Sequence, residues 1–203
     1  MKITPWVFAL ALVTPFAQAD WYIAPFGGYS SGGNIDVENE QDEIRQELKI
    51  KETEHYGLKV GFTTNDPGSM YLLISSQSTE FQERTGQIAP SGNKVRLDYY
   101  HLGGNLYFAE DGFRPYVGAS VGATLFKNNG GVSNETRFSF GLSGGGLYEI
   151  TNNFGLFAEV QGFATLLNSD KQLFCDGAQG CLWRVKGSTM LQAQANVGFQ
   201  VTF

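Results

Sequence analysis

The chain has 203 residues, of which 42% are hydrophobic and only 17% are charged, and its formal net charge is −6. An acidic chain does not suit nucleic acid, which rewards basic patches, and this composition is not that of a disordered protein. No internal run reaches the ~18 apolar residues of a membrane-spanning helix.

The N-terminus has the features of a secretory signal peptide. Met1-Lys2 supplies a positive charge, Trp6–Val13 an apolar core, and Ala17-Gln18-Ala19 the small residues of a cleavage site. Residues 1–19 are therefore predicted to be removed, because the alternative, a membrane anchor helix, is bracketed by prolines and is too short to cross. The mature chain would keep 13 basic and 20 acidic residues, a net charge of −7, since the leader contains one lysine and no acid.

Eight segments of the mature chain alternate in polarity with a period of two, which indicates extended backbone. Most run to about 12 residues or more, longer than the ~5–6 residues usual in soluble sheets. The predicted strands are Asp20–Ser31, Thr53–Thr64, Ser69–Phe81, Lys94–Ala109, Phe113–Lys127, Glu135–Glu149, Phe154–Leu166 and Lys186–Phe203.

The hairpin from Asn134 to Leu167 shows the pattern most fully. One row is apolar, aromatic or Gly, and consists of Phe138, Phe140, Leu142, Gly144, Gly146 and Tyr148, then Phe154, Leu156, Ala158, Val160, Gly162, Ala164 and Leu166. The opposite row holds mainly charged, polar and small residues. One apolar face with aromatics at its ends is typical of strands that cross a membrane in a closed barrel.

The connections between the strands alternate between long and short, at about 20, 4, 12, 3, 6–7, 3–4 and 18 residues, as transmembrane barrels alternate extracellular loops with periplasmic turns. Lipid demands that every backbone group be paired, which a sheet achieves only by closing. The sequence therefore predicts an all-β fold over residues 20–203, an eight-stranded antiparallel up-and-down transmembrane β-barrel. A soluble lipocalin-like barrel is the alternative, and the aromatics near both strand ends oppose it, as does the terminal Phe203.

Two of the long connections have distinctive composition. Gly32–Lys51 is dense in acids and amides and is predicted to be an exposed loop, in which a short helical piece around Glu40–Leu48 is an option. Its acidic residues suit divalent cations or a basic partner surface, or simply a solvated loop; they are Asp36, Glu38, Glu40, Asp42 and Glu43.

The other distinctive connection, Asn168–Val185, contains both cysteines of the chain, Cys175 and Cys181. Their spacing suits one short disulfide loop in an oxidising compartment. A metal site is the weaker alternative, since no histidine or further cysteine is nearby.

The chain resembles the small outer-membrane barrels of Gram-negative bacteria, the OmpA-like and OmpX-like group. The resemblance is carried by Trp21-Tyr22 with Gly28-Tyr29-Ser30, by Arg114-Pro115-Tyr116-Val117-Gly118, and by the terminal Gly198-Phe199-Gln200-Val201-Thr202-Phe203. It implies a location in the Gram-negative outer membrane, among its lipid and lipopolysaccharide. The final aromatic, Phe203, is similar to the signal that the barrel assembly machinery reads. The chain departs from OmpA in ending with the barrel, so a cell-wall tether is not implied.

The inward row of such a barrel carries charged residues, because eight strands leave an interior that side chains just fill. These charges are expected to pair, since an unpaired buried charge is costly. A satisfied polar core is favoured over a gated ion path. The predicted interior polar network is Lys59, Arg114, Arg137, Glu135, Glu149, Glu159 and His101.

The histidines, His55 and His101, also fall on the inward row, and neither lies in a motif of the outer-membrane enzymes that modify lipid A. We therefore expect no enzyme, no cofactor and no metal. The predicted function is that of an integral outer-membrane barrel with a structural or adhesion-like role, which meets an extracellular partner through residues 32–51 and 168–185. A narrow channel and, less well supported, a lipid-A-modifying enzyme are the alternatives.

Overall fold

The computed structural model describes residues 20–32, 34–38, 45–64, 67–83, 94–109, 111–128, 134–167, 172–176, 180–185 and 189–203. The predicted signal peptide, residues 1–19, lies outside the described residues. So do parts of most of the connections, including residues 65–66 and 129–133.

The described residues form twelve strands. They are β1 Trp21–Gly32, β2 Asn34–Glu38, β3 Arg45–Ile50, β4 Thr53–Thr63, β5 Gly68–Glu83, β6 Lys94–Tyr107, β7 Phe113–Asn128, β8 Glu135–Thr151, β9 Phe154–Leu166, β10 Gln172–Asp176, β11 Gly180–Val185 and β12 Thr189–Thr202. Eight of them, β1, β4, β5, β6, β7, β8, β9 and β12, pair antiparallel with their neighbours in a ring. The β1–β12 pair closes the ring, which confirms the predicted eight-stranded barrel.

The strands of the ring are staggered. Following the cross-strand partners from Phe154 on β9 once around the barrel returns to β9 at Ala164, ten residues further along. With eight strands and ordinary strand spacing, this stagger tilts the strands by about 40° from the barrel axis. The interior of a barrel this size is filled by side chains.

Side chains alternate between the outer surface and the interior. On β9, Glu159, Gln161 and Phe163 are at most 4% exposed, whereas Val160 between them is 62% exposed. On β8, Leu142 is 70% exposed. A soluble barrel would show the reverse, so the exposed apolar rows are a lipid-facing surface. The described residues contain no helix that is long and apolar enough to span a bilayer.

Aromatic residues border this apolar surface at both ends. At the end with the short turns, the ring centroids of Trp21 and Phe62 lie 5.5 Å apart, and those of Phe154 and Phe199 lie 5.9 Å apart. The exposed tyrosines at the other end are Tyr29, Tyr56 and Tyr100. Such girdles mark the two membrane–water interfaces. Barrels of this kind have short periplasmic turns and longer extracellular loops, so the end with the short turns is assigned to the periplasm and the other end to the outside.

The extracellular connections contain more strand than the sequence predicted. The helical piece around Glu40–Leu48 is wrong for its described part, because Arg45–Ile50 is strand β3. The segments 34–38 and 45–50 both alternate in polarity, and β3 finds backbone partners on an extension of β5, where Ile50 lies opposite Phe81. Pairing with that extension satisfies backbone N–H and C=O groups of β3 in the extended conformation, so this segment is a strand and not a helix.

The same connections join into one sheet. β2 pairs with β3, and β11 pairs with β2 through Arg184 opposite Glu38 and Val185 opposite Val37. β10 completes the order β10-β11-β2-β3-β5. The described parts of the segments predicted as two separate loops, 34–38, 45–50, 172–176 and 180–185, therefore form one extracellular sheet that continues the barrel wall. We call it the extracellular sheet.

The lipid-facing surface predicts that the free-energy cost of a charged substitution depends on its depth in the membrane. Leu102 is 56% exposed, midway along the outward row of β6. We expect Leu102→Arg to lower the free energy of unfolding by about 2–4 kcal/mol, because the arginine must enter hydrocarbon. Urea unfolding in phospholipid vesicles, followed by tryptophan fluorescence, measures this loss.

Leu191→Arg is the matched control. Leu191 is 65% exposed but lies at the extracellular end of β12, where an arginine reaches the interface. Its expected cost is about 0–1 kcal/mol. Equal costs at the two positions, or no cost at Leu102, would contradict a lipid-facing row.

Candidate functional site: the barrel interior

The interior is a polar core that glycines make possible. A Cβ on Gly28 would lie 2.8 Å from both the His55 ring and Asn196 Oδ1, and a Cβ on Gly145 would lie 2.7 Å from the Cβ of Glu159. Neither contact is tolerable for a real side chain. The glycine-rich inward rows therefore leave the space that long polar and aromatic side chains from facing strands occupy.

A buried ion pair lies at the centre of this core. Lys59 Nζ, on β4, donates to both carboxylate oxygens of Glu159, on β9, at 2.6 and 2.7 Å. The two side chains are 4% and 0% exposed. The Tyr116 hydroxyl donates to Glu159 at 3.0 Å. In a low-dielectric interior such a pair is tolerated only with its remaining hydrogen-bonding capacity met, as it is here.

Aromatic rings surround the ammonium group of this pair. Lys59 Nζ lies 5.0 Å from the ring centroid of Tyr71, 5.5 Å from that of Phe157 and 6.0 Å from that of Phe26. Rings at these distances attract a cation through their quadrupoles. They also fill the cross-section of the barrel around the ion pair.

A hydrogen-bonded chain runs from this ion pair towards the extracellular side. Asn196 Nδ2 donates to Glu159 at 3.0 Å, and Asn196 Oδ1 lies 2.6 Å from His55 Nε2. His55 Nδ1 lies 2.7 Å from Ser30 Oγ. Because Oδ1 is an acceptor, Nε2 of His55 carries the proton and Nδ1 accepts from Ser30. The chain therefore links β1, β4, β12 and β9.

His101 forms a second cluster. Its Nδ1 lies 3.1 Å from Ser120 Oγ and its Nε2 lies 2.7 Å from Ser139 Oγ, which accepts from Thr124 at 3.0 Å. The Phe163 ring packs edge-on against His101 with centroids 4.9 Å apart. His101 and Ser139 are 0% exposed. A nucleophile–base pair needs a substrate within reach, and this buried pair offers none from solvent.

A third layer closes the interior at the level of Tyr99. The Tyr99 hydroxyl donates to Gln192, whose Nε2 donates to Gln77 at 2.7 Å. The Tyr99 ring stacks on Phe163 at 4.3 Å. Together with the ion pair and the His101 cluster, this layer places buried side chains across the barrel interior at three levels.

The remaining predicted charges pair nearer the barrel ends. Arg114 Nη1 donates to Glu149 at 2.6 Å near the periplasmic end, and its guanidinium lies 4.2 Å from the ring centroid of Tyr107. Arg137 Nη2 donates to Glu135 at 2.6 Å near the extracellular end. Both pairs are more exposed than the central one.

A cleft enters the barrel from the periplasmic end. Its lining includes Tyr22, Tyr107, Tyr116 and Gln200. Lys59, the cation of the buried ion pair, also lines it. The cleft and the ion pair therefore share one side chain.

The sequence analysis named charged residues for the interior but did not name their neighbours. Tyr116, Asn196 and Ser30 complete the bonds of Glu159 and His55, and their inward phase was the only sequence signal for them. One group lies outside the prediction altogether: Asp98, which is 2% exposed although it belongs to the lipid-facing row of β6.

The cysteines lie opposite each other on adjacent strands. In the β10–β11 pair, Cys175 is the cross-strand partner of Cys181. Their side chains lie outside the described residues, so the disulfide remains a prediction. Among the described side chains, no group of three or more His, Cys, Asp or Glu residues is arranged to hold a metal ion.

Comparison with known proteins gives one family. The family model described as "Outer membrane protein beta-barrel domain" matches residues 7–203. No curated protein matches the chain.

Three solved structures share the fold. The outer membrane protein OprG from Pseudomonas aeruginosa is 13% identical, with a TM-score of 0.62 over 91% of this chain and 96% of that one. Neisserial surface protein A is 14% identical, with a TM-score of 0.56 over 90% and 97% of the two chains. The outer membrane protein AlkL is 15% identical, with a TM-score of 0.55 over 92% and 90%.

The central ion pair predicts a strong coupling between two residues. Glu159→Gln leaves the Lys59 ammonium buried without a counter-charge, and we expect it to lower the free energy of unfolding by about 3–5 kcal/mol. Lys59→Met combined with Glu159→Gln removes both charges and should restore most of that loss. Urea unfolding in vesicles of the two single variants and the double variant gives the coupling energy.

Glu149→Gln serves as the comparison, because the Arg114–Glu149 pair is partly exposed. Its expected cost is about 1 kcal/mol or less. If the effects of Lys59→Met and Glu159→Gln simply add, the two charges do not act as a pair.

Proposed function

Since the chain belongs to the outer membrane protein beta-barrel domain family and lies in the Gram-negative outer membrane, we propose that it displays the extracellular sheet for interaction with a partner outside the cell. The barrel holds the extracellular sheet at the membrane surface. Loops held on a rigid scaffold commonly carry binding functions, because the scaffold fixes their geometry.

The observation that carries the proposal is the strand pairing among the described parts of the extracellular connections. β3 pairs with β5, β2 with β3 and β11 with β2, so two connections that are far apart in sequence become one surface. A loop that only joins two strands needs no such pairing. A shared sheet reduces the conformational entropy that a partner would have to remove on binding.

The composition of this surface favours a basic partner. Residues 34–49 contain six acidic residues and two basic ones. Like charges gathered on one surface steer oppositely charged partners and disfavour acidic ones. A protein surface rich in lysine and arginine is therefore the partner class that fits residues 32–51, with 168–185 beside them.

The filled interior favours a scaffold over a channel. The Lys59–Glu159 pair and the Tyr99 layer cross the barrel at successive levels, and moving an ion past them would require breaking buried charge-assisted bonds. The second candidate function, a narrow channel, is favoured by one observation, the periplasmic cleft whose lining includes Lys59. An enzyme is disfavoured, because both histidines are bonded within the closed core.

Two further proposals concern how the chain reaches its place. Residues 1–19 act as the signal peptide, and Phe203 acts as the terminal signal for the barrel assembly machinery. Phe203 is 69% exposed, and its backbone nitrogen donates to Trp21 at 2.8 Å. An exposed aromatic at the periplasmic end of the closing strand suits recognition before the barrel closes.

The test separates display from conduction. Bacteria carrying the full chain should adhere to surfaces coated with a basic protein, such as lysozyme, and a variant in which residues 34–49 are replaced by Asn-Gly should adhere several-fold less. The refolded wild-type barrel should show no discrete openings in a planar bilayer. Equal adhesion of the two strains would contradict the display role.

The control variant removes one negative charge from the opposite end of the barrel and leaves the extracellular sheet unchanged. Glu149→Gln removes one acid near the periplasmic end and should leave adhesion unchanged. Stable discrete conductance from the wild-type barrel would instead support the channel.

The β10–β11 register predicts a disulfide between Cys175 and Cys181. Residues directly opposite in an antiparallel pair have Cα atoms about 4.5–5.5 Å apart, within the range that a disulfide spans. The purified protein should therefore take up no maleimide label until it is reduced, and two labels per chain afterwards, as measured by intact mass. Cys175→Ser should take up one label without reduction. Two labels on the unreduced wild-type chain would contradict the bridge.

A further inference from the structure

Four polar residues interrupt the lipid-facing surface at the extracellular ends of β5, β6 and β7. They are Ser76, Arg96, Asp98 and Lys127, and we call them the rim cluster. Their positions follow the outward phase of their strands. In the cross-strand register, Ser76 lies opposite Asp98, and Arg96 lies opposite Lys127.

Asp98 is the centre of the rim cluster. Its Oδ1 accepts from Ser76 at 2.7 Å and from Arg96 Nε at 2.8 Å, and its Oδ2 accepts from Lys127 Nζ at 2.7 Å. The side chain is 3% exposed because its partners cover it. One carboxylate therefore fixes two cationic side chains at adjacent positions of the outer surface.

The cations remain accessible while the anion is hidden. The side chains of Arg96 and Lys127 are 49% and 37% exposed. Two positive charges against one negative charge leave the rim cluster with an excess of +1. Within the described part of the chain, the hydrogen bonds of Arg96 all use Nε, so the two terminal nitrogens of its guanidinium face no protein acceptor there. In the cross-strand register, Glu54 belongs to β4, two strands away from Arg96, and Glu80 of β5 is the partner of Lys94.

The depth of the rim cluster matches the lipid headgroups of the outer leaflet. From Phe108, the residue after β6, to Tyr100 on β6, the outward row spans roughly 20 Å along the barrel axis, at ~3.3 Å per residue and the tilt given above. The apolar band of such barrels is ~25 Å tall. Asp98 and Arg96 lie two and four residues beyond Tyr100 towards the extracellular end of β6, so they lie where the hydrocarbon ends. Charges placed deeper would be costly, and charges placed here meet the headgroups.

We propose that the rim cluster binds the phosphate group of a phosphorylated outer-leaflet lipid. A phosphate oxygen accepts from the guanidinium fork and from an ammonium at once, which Arg96 and Lys127 offer side by side. The acyl chains of the same lipid would lie against the apolar row below, beginning at Ile74 and Tyr100. This site lies on the outside of the barrel and does not depend on the proposed role of the extracellular sheet.

Native mass spectrometry of the refolded mature barrel in a non-ionic detergent tests the site. Bisphosphorylated lipid A is the probe, and lipid A stripped of its phosphates is its partner probe. We expect wild-type protein to retain lipid A, and Arg96→Gln and Lys127→Gln each to weaken the apparent affinity about tenfold or more, since each removes a charge-assisted contact. The heat-dependent gel mobility of each variant confirms that the barrel is folded.

Lys51→Gln is the matched control, because it removes one exposed positive charge immediately before β4, outside the rim cluster. It should bind lipid A as the wild type does. Equal binding of the dephosphorylated probe, or equal losses in Lys51→Gln and Arg96→Gln, would overturn the proposal. Displacement of lipid A by millimolar inorganic phosphate would also overturn it, since it would show a site for a free anion.

Discussion

The structure depends on the requirement that no backbone N–H or C=O meet hydrocarbon without a partner. A sheet in lipid satisfies this only when its first strand pairs with its last, and here β1 pairs with β12. Closure with eight strands fixes a narrow interior, and the period of two then assigns every residue to lipid or to that interior. The apolar outer row and the crowded polar inner row are both consequences of that single constraint.

The narrow cross-section of the barrel explains which residues its interior contains. Gly28 and Gly145 admit His55 and Glu159, and the aromatic rings around Lys59 fill what remains. A charge buried in this interior needs a counter-charge, and here the counter-charge lies on a different strand. The interior therefore has a fixed set of partners, while the outer row needs only to be apolar. The rim cluster departs from that rule at the depth where lipid becomes polar.

The sequence predicted the parts of this fold that follow from period and charge. The strands, their inward and outward faces and the identity of the interior charges are properties of single segments, and the alternation of Phe113–Lys127 is enough to assign a face. Which charges meet is different, because Lys59 and Glu159 are separated by 100 residues and are brought together by the stagger of the ring. The extracellular sheet was missed for the same reason, since β3 is stabilised by an extension of β5 and its own residues are polar enough to suit a loop. Asp98 was missed because its charge breaks the pattern used to find the strand.

The position of the interior bonds has a consequence for how the barrel comes apart. The ion pair from β4 to β9 spans the β1–β12 junction, and the bonds from His55 and Gln77 to Asn196 and Gln192 also reach β12 from the far side of that junction. None of them can form while the N- and C-terminal strands are still separate. Contacts that form only after the two terminal strands pair cannot speed that pairing, and they must break before the strands separate. The polar core therefore acts mainly on the rate at which the barrel opens at this junction.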